Sequence, residues 1–507
     1  MIKRDFREYS VLAIMIGTTL FGKMLGMVRD MLIANDYGIS YEADAFFVAS
    51  RIPNNFFDFA LSAAVVSTFI PIFNRIMHRE GKDEAFKYAS HFLSFAMAIA
   101  VAVSAVLIIF PGPIVSVFGP GLSEEAAKLA TTLTQYMAPV VIFATVTFTY
   151  VGLMQSFSHF TLPSAISIFS NLVVILYLIF LNPRFGLYGL AIAFSLGWFI
   201  QALVQMPMMK KEGFVFRPAL HLKSEAMRDT LRMTGPVLVS TWAQPVNAMI
   251  ITVLASFYAG GVSLMEYANR VYIIISGVLI YTITNYIFPK LSKTFSSDNH
   301  VAFMGVVQRS VVLFLYFGIP IVFLVTLYSF ETIQILFLRG EFTQHAAETT
   351  SVILSLFIWG LIGLGIKEIL NRVYFAMGNT KLPLIITVIG ILINIPLSLL
   401  LSSLMGLNGL ALASTVSMTL VTVVMIIVAM RQNIVSSVGE LAKTTAMIIL
   451  VDFILFLLFS LMGVSFGDRL LALVLELIFK AGVFMVLHVM ILRTLKIGIP
   501  VIQMREL

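Results

Sequence analysis

The stretch Gly186-Leu187-Tyr188-Gly189-Leu190-Ala191 recurs 220 residues later as Gly406-Leu407-Asn408-Gly409-Leu410-Ala411. The same offset carries Leu162-Pro163 to Leu382-Pro383 and Ala126-Ala127 to Ala346-Ala347, and Ile70-Pro71 is echoed nearby by Phe288-Pro289. Between the copies lie six apolar runs, each long enough to cross a bilayer. An even number of crossings returns the chain to the same side, so the two copies share one orientation: a parallel repeat about an axis along the membrane normal. The expected fold is an all-α integral membrane protein with two six-helix lobes, 1–211 and 212–432, around a central cavity. A two-helix hairpin, 433–507, follows.

Composition agrees with a membrane chain. Of 507 residues, 59% are hydrophobic and only 12% are charged, with a mean hydropathy of +0.97, far above the range of soluble domains. Runs of about 20 apolar residues bounded by Pro, Gly or charge predict fourteen spans. They lie near 10–34, 43–74, 89–117, 127–156, 163–182, 187–209, 234–258, 264–288, 309–336, 347–377, 382–402, 408–430, 441–463 and 470–492. The first run is too long for a signal-peptide core and is read as a span. With both termini cytoplasmic, the inner segments hold 22 of the 33 Lys and Arg and the outer loops four, Lys128, Arg184, Arg339 and Arg469. That asymmetry sets the orientation. It also accounts for the net charge of +7 without a nucleic-acid partner. The absence of cysteine excludes disulfides, thiolate metal sites and cysteine nucleophiles. Between the lobes, 210–232 reads as a polar linker, with Ser224–Arg232 either a short amphipathic helix or a plain solvated loop.

The candidate functional residues are the charges inside the spans. Lys23, Arg29, Arg51 and Arg270 would each cost roughly 2.5–3.5 kcal/mol at a bilayer centre. Lys23 lies near mid-span, with Arg29 about 9 Å further along the helix axis. Asp44, Arg51 and Asp58 recur every seven residues as one polar stripe, and Pro53-Asn54 interrupts their helix. Two readings stand. In one, Asp30, Asp44, Asp58 and Glu266 satisfy the cations as a structural lattice. In the other, the cations receive an anion, for which guanidinium forks and a lysine point charge suit a diphosphate. Glu368 with Arg372 and Glu476 with Lys480 have the i,i+4 spacing of self-neutralising pairs. Lys367 has no such neighbour, and Asp452 stands alone in the hairpin. No H-E-x-x-H, G-x-S-x-G or Walker A pattern is present; a catalytic site built from residues far apart in sequence stays open, no cofactor or metal is expected, and two like-oriented lobes around a cavity are the architecture of an alternating-access transporter.

Gly22-Lys23-Met24-Leu25-Gly26-Met27-Val28-Arg29-Asp30, Glu42-Ala43-Asp44-Ala45-Phe46-Phe47-Val48-Ala49, Ile52-Pro53-Asn54, Phe69-Ile70-Pro71 and Tyr267-Ala268-Asn269-Arg270 closely resemble the MurJ/MviN family. These are lipid II flippases of the multidrug/oligosaccharidyl-lipid/polysaccharide exporter superfamily. The resemblance implies movement of undecaprenyl-diphosphate-linked peptidoglycan precursor from the inner to the outer leaflet of the bacterial cytoplasmic membrane. Lipid II, membrane lipids and cell-wall synthesis proteins are the partners it implies. Arg29 and Arg270 match family arginines required for function, and Lys23 stands where many members have Arg. A further family arginine of the second helix is here Phe57 or Asp58, with Arg51 as its substitute two turns away. Asp44 matches an acidic position near the outer gate, and the final hairpin would hold the polyprenyl tail. Family sodium sites use acidic groups on helices seven, eleven and twelve, where this chain has Asn247, Asn394 and Ser398. An exporter of another polyprenyl-linked glycan fits the cations equally well, and a membrane-embedded enzyme or scaffold of lipid-linked sugar metabolism is the alternative from another class.

A chain without cysteine makes the orientation directly measurable. A membrane-impermeant maleimide should label Arg184→Cys in intact cells and Lys223→Cys only after permeabilisation; the reverse pattern would invert the topology.

Overall fold

The computed structural model describes residues 2–60, 65–241, 243–297, 299–435, 438–462, 470–495 and 497, and side chains at these positions except 2–13, 56–60, 66, 236–241, 243, 244 and 438. Among the described residues every regular element is a helix. The chain forms two compact units, Met1–Ser263 and Leu264–Leu507.

The first unit holds α1 (Ile2–Tyr37), α2 (Tyr41–Ala60), a π-helical turn (Val65–Phe69), α3 (Ile70–Arg79), α4 (Lys82–Ile109), α5 (Pro111–Phe118), α6 (Glu124–Met137), α7 (Val140–Ser156), α8 (Thr161–Phe180), α9 (Asn182–Lys211), α10 (Glu225–Thr241) and α11 (Ala243–Ala255). It ends within the first turn of α12 (Gly261–Ser296). The second unit holds the rest of α12, then α13 (His300–Leu327), α14 (Ser329–Phe337), α15 (Gln344–Ile358), α16 (Gly360–Ala376), α17 (Lys381–Met405), α18 (Leu407–Arg431), α19 (Val438–Ser460) and α20 (Leu470–Thr494).

Among the described residues ten helical stretches are long and apolar enough to cross a membrane, or eleven when α6 and α7, bent by 42° at their junction, count as one. This is a multi-pass membrane protein. The three remaining expected spans fall on α1, on α2 through α3, and on α10 with α11. Those helices include Pro53, the π-helical turn, or residues or side chains outside the described set. A count of fourteen requires all three to cross as well.

Apolar burial drives little association within lipid, so helices there dock through small residues and interhelical hydrogen bonds. Helix α1 meets α8 in this way. A Cβ on Gly22 would meet the Ser167 hydroxyl, Gly26 lies over the Asn171 amide, and the Thr18 and Ser164 hydroxyls are 2.7 Å apart. An aromatic cluster of Phe69, Phe73, Tyr88 and Phe92 packs the π-helical turn, α3 and α4 together. The residues expected as a separate amphipathic helix or a loop, Ser224–Arg232, instead begin α10, which continues into the seventh expected span. Arg75 pairs with Asp229 at 2.6 Å and the Tyr88 hydroxyl meets Thr230 at 2.7 Å, tying that first turn to α3 and α4. The chain before it runs along α4, where Ser90 and Ser94 accept the Arg217 and Ala219 N–H groups. Where α9 ends, Glu212 meets His159 at 2.8 Å and Lys82 at 3.4 Å. The hydrogen bond from His159 holds its carboxyl below the usual carboxylate range.

The 220-residue offset seen in the sequence returns in the backbone. Gly186 and Gly406 share positive φ, 55° and 60°, with ψ of −150° and −138°. Ser158 and Gly378, and Gly213 and Asn433, are further positive-φ pairs. Ser123 and Thr343 cap α6 and α15 by accepting the Ala126 and Ala346 N–H groups. The Ser195 hydroxyl donates to the Tyr136 carbonyl at 2.8 Å, and the Thr415 hydroxyl to the Leu356 carbonyl at 2.7 Å. Gly189 and Gly409 leave no room for a side chain: a Cβ would strike the Tyr177 hydroxyl at one and the Leu401 backbone at the other.

Because backbone yields less than the end of a side chain, Gly409→Ala should lower the thermal midpoint of the detergent-solubilised protein more than Gly189→Ala. The expected cost at Gly409 is about 1–3 kcal/mol. Gly112→Ala, with nothing near its Cβ, should be neutral.

Candidate functional site

Helix α1 carries Lys23 and Arg29, and α2 carries Asp44 in its first turn and Arg51 two turns on. Lys23 is exposed along α1, whereas Arg29 is half-buried and Asp30 buried. Each nitrogen of the Arg29 fork makes a contact. Its Nε and Nη2 both donate to Asp30 Oδ1, at 3.0 and 2.8 Å, and Nη1 donates to Asn171 Oδ1 at 3.1 Å. The amide nitrogen of Asn171 in turn donates to the Gly22 carbonyl at 3.0 Å. The guanidinium is thereby fixed in direction by one carboxylate and one amide from a neighbouring helix.

Two features of this arrangement escaped the spacing rules. Helix neighbours at i,i+1 do not ordinarily face one another, but an arginine stem is long enough to fold back onto the next residue. Asn171 was visible as a polar residue in the middle of an apolar run. Which cation it would meet was not, because that depends on how α1 and α8 dock.

Arg51 meets neutral acceptors on α11. Its Nη1 donates to the Ala248 carbonyl at 3.1 Å and also contacts the Thr252 hydroxyl. Asp44 is 4% exposed, and its Oδ1 accepts both the N–H and the hydroxyl of Ser263 at 2.8 Å. The Ser263 N–H is one of the donors that a helix leaves unsatisfied at its first turn, so Asp44 caps α12 and complements its positive end. Nearby, the Gly121 N–H donates to the Ser256 hydroxyl at 3.0 Å. Residues 248–263 are therefore held from α2 and from the α5–α6 connection by polar contacts. The stripe Asp44, Arg51 and Asp58 is thus resolved into separate partners at its first two positions, while the Asp58 side chain lies outside the described residues.

In the second unit, Arg270 pairs with Glu266 at 2.9 Å one turn earlier on α12, the i,i+4 arrangement read from the sequence. Glu266 is the more buried partner, and the Arg270 side chain keeps 39% of its surface. The other intramembrane charges divide. Lys480 pairs with Glu476 as expected and also lies over the Tyr328 ring. Glu368 instead accepts from Asn371 at 3.1 Å, and Arg372 stacks on Phe288, because an aromatic face competes with a carboxylate for a guanidinium in an apolar setting. Asp452, which has no charged neighbour one turn away on its own helix, is met across the hairpin by His488. Lys367 is 3% exposed on α16.

The chain matches known proteins over most of its length. The family model described as lipid II flippase MurJ covers residues 33–489. A Rickettsia prowazekii protein named probable lipid II flippase MurJ is 25% identical over 415 residues, 81% of each chain. Among solved structures, a lipid II flippase MurJ in an inward closed conformation is similar with a TM-score of 0.81 at 24% identity, over 95% of this chain and 99% of that one. A multidrug resistance MATE family transporter of the MOP superfamily, in an inward-facing conformation, has a TM-score of 0.70 at 15% identity, over 85% of this chain and 99% of that one. Both structural likenesses show a shared fold.

The contacts of Asp44 give a direct energetic test. Asp44→Ala leaves the buried Ser263 N–H without its acceptor, while the hydroxyl keeps the Gly260 carbonyl, and should cost about 1–3 kcal/mol of stability. Ser263→Ala should cost less, and the double variant should fall short of the sum by at least about 0.5 kcal/mol. Strict additivity in thermal or denaturant unfolding would mean that the contact contributes nothing.

Proposed function

This chain belongs to the lipid II flippase MurJ family, and on that premise we propose that it moves lipid II from the inner to the outer leaflet of the bacterial cytoplasmic membrane by alternating access. The observation that carries this reading is the family match across 33–489, which takes in α2, α12 and most of the hairpin. The chain would work as a transporter, not an enzyme, with both termini cytoplasmic. Its repeat lobes would be 1–211 and 212–432, and its hairpin, 433–507, would take the polyprenyl tail. Lipid II and the surrounding lipids are its proposed partners, together with cell-wall synthesis proteins.

The groups proposed to meet the diphosphate are Lys23, Arg29 and Arg51 of the first unit and Arg270 of the second. Their chemistry supports different roles. Arg29 and Arg270 each hold a carboxylate in this state, so an arriving diphosphate would compete with Asp30 and Glu266. Such exchange favours a dianion over a single carboxylate while keeping each cation satisfied when substrate leaves. Arg51 donates to a backbone carbonyl and a hydroxyl of α11, contacts that a phosphate oxygen would replace with charge-assisted bonds about twice as strong. Lys23, exposed on α1, would supply a point charge. Asp44, Asp30, Asp58 and Glu266 are the proposed gate or charge partners. A membrane potential negative inside would assist outward movement of an anionic head group by roughly 2.3 kcal/mol per charge per 100 mV.

Outer-leaflet exposure of lipid II in depleted cells, complemented with wild type or with Arg29→Ala or Arg270→Ala at matched expression, tests the proposal. Wild type should restore exposure. Each alanine variant should reduce it about 10-fold or more, as expected for loss of one charge-assisted contact of about 1.5–3 kcal/mol. Full activity of both variants would leave those arginines as lattice, and failure of wild type would point to another polyprenyl-linked glycan.

A further inference from the structure

One polar cluster serves none of the roles above. Asp452 on α19 and His488 on α20 are both fully buried, with Oδ1 and Nδ1 2.6 Å apart. The ring of Tyr316 on α13, also fully buried, stands edge-on to the imidazole with 5.0 Å between centroids and 76° between planes. Three polar atoms here are buried without a hydrogen-bond partner among the described residues: Asp452 Oδ2, His488 Nε2 and the Tyr316 hydroxyl.

Charge bookkeeping decides what such a pair can hold. With a neutral imidazole and an ionised carboxylate, the dyad carries one negative charge at a fully buried position, at an effective cost of several kcal/mol. One added proton, on either partner, makes the dyad neutral overall and keeps the short Nδ1 to Oδ1 contact as a hydrogen bond.

Among the described residues, no cation on the packed elements is placed to neutralise the dyad in the proton's stead. On α20, Arg493 is exposed and about 7.5 Å along the axis from His488, while Lys480 is about 12 Å away and already pairs with Glu476. On α19, Lys443 is exposed and about 13.5 Å from Asp452, with Glu440 beyond it. On α13, Arg309 is about 10.5 Å along the axis from Tyr316, and the charge that α14 carries is the acidic Glu331.

We propose that the Asp452–His488 dyad is a proton-binding site inside the C-terminal hairpin, taking up one proton that neutralises the pair and holds α19 and α20 together against α13. The sign of the linkage follows. Above about pH 6.5 an unfolded histidine is neutral and an unfolded aspartate ionised, so the folded dyad holds one proton more than the unfolded chain. Stability from this site is therefore present below that pH and is lost as pH rises.

Denaturant unfolding of the full-length protein in detergent between pH 6 and 9 tests this without substrate, so its outcome is separate from the transport proposal. Relative to Asp452→Leu/His488→Leu, whose apolar pair has nothing to titrate, the wild-type unfolding constant should rise by up to about tenfold per pH unit. Asp452→Asn keeps a polar partner for the imidazole but no charge, and should follow the double variant. His488→Gln leaves a buried carboxyl that still requires its proton, so its pH dependence should persist and begin lower, near about pH 4. Superimposable profiles for wild type, Asp452→Asn and the double variant would overturn the proposal and leave the dyad as a structural pair.

Discussion

The hydrogen-bonded chain from the Gly22 carbonyl through Asn171 and Arg29 to Asp30 is the constraint on which the first unit's chemistry rests. A guanidinium has five donors, and in an apolar span each must find an acceptor or water. Asp30 takes two and Asn171 one, which orients the fork and ties α1 to α8. The close approach of those helices depends on Gly22, where a Cβ would meet the Ser167 hydroxyl; a larger residue there would separate the backbones and put the Asn171 amide beyond reach of the Gly22 carbonyl. Packing and electrostatics are one feature here, since the small residues that permit contact also place the polar groups.

The same economy recurs across the chain in different forms. Arg51 donates to a backbone carbonyl and a hydroxyl, Asp44 accepts from the first turn of a helix, Arg372 lies over an aromatic face and Asp452 meets a histidine. Each solution carries a different consequence for binding. A contact to a neutral oxygen can be exchanged for a phosphate with little loss, whereas one to a carboxylate is exchanged only for a stronger anion. A buried carboxylate facing histidine can be neutralised by a proton alone.

The repeat supplies the scaffold on which these sites sit. Equivalent glycines at 186 and 406 adopt the same left-handed backbone, and equivalent hydroxyls at 195 and 415 bond equivalent carbonyls. The charges do not follow this symmetry. At the 220-residue offset Lys23 corresponds to Ala243, Arg29 to Met249 and Arg51 to Val271, while Arg270 corresponds to Ser50. The architecture is duplicated while the cationic chemistry belongs to particular helices.

Hydropathy, the offset and the loop charges were sufficient to reach a helical membrane protein with internal repetition, because the cost of unsatisfied backbone in lipid leaves few architectures open. The i,i+4 pairs Glu266 with Arg270 and Glu476 with Lys480 were equally legible, since one helix fixes their geometry. Asn171, Thr252, Ser263 and His488 were not. Each meets its charged partner across 142, 201, 219 or 36 residues of chain, and nothing in local spacing says which helix faces which. Only the tertiary structure decides that, because the partner of a buried charge is chosen by the packing of whole helices and not by the residues beside it.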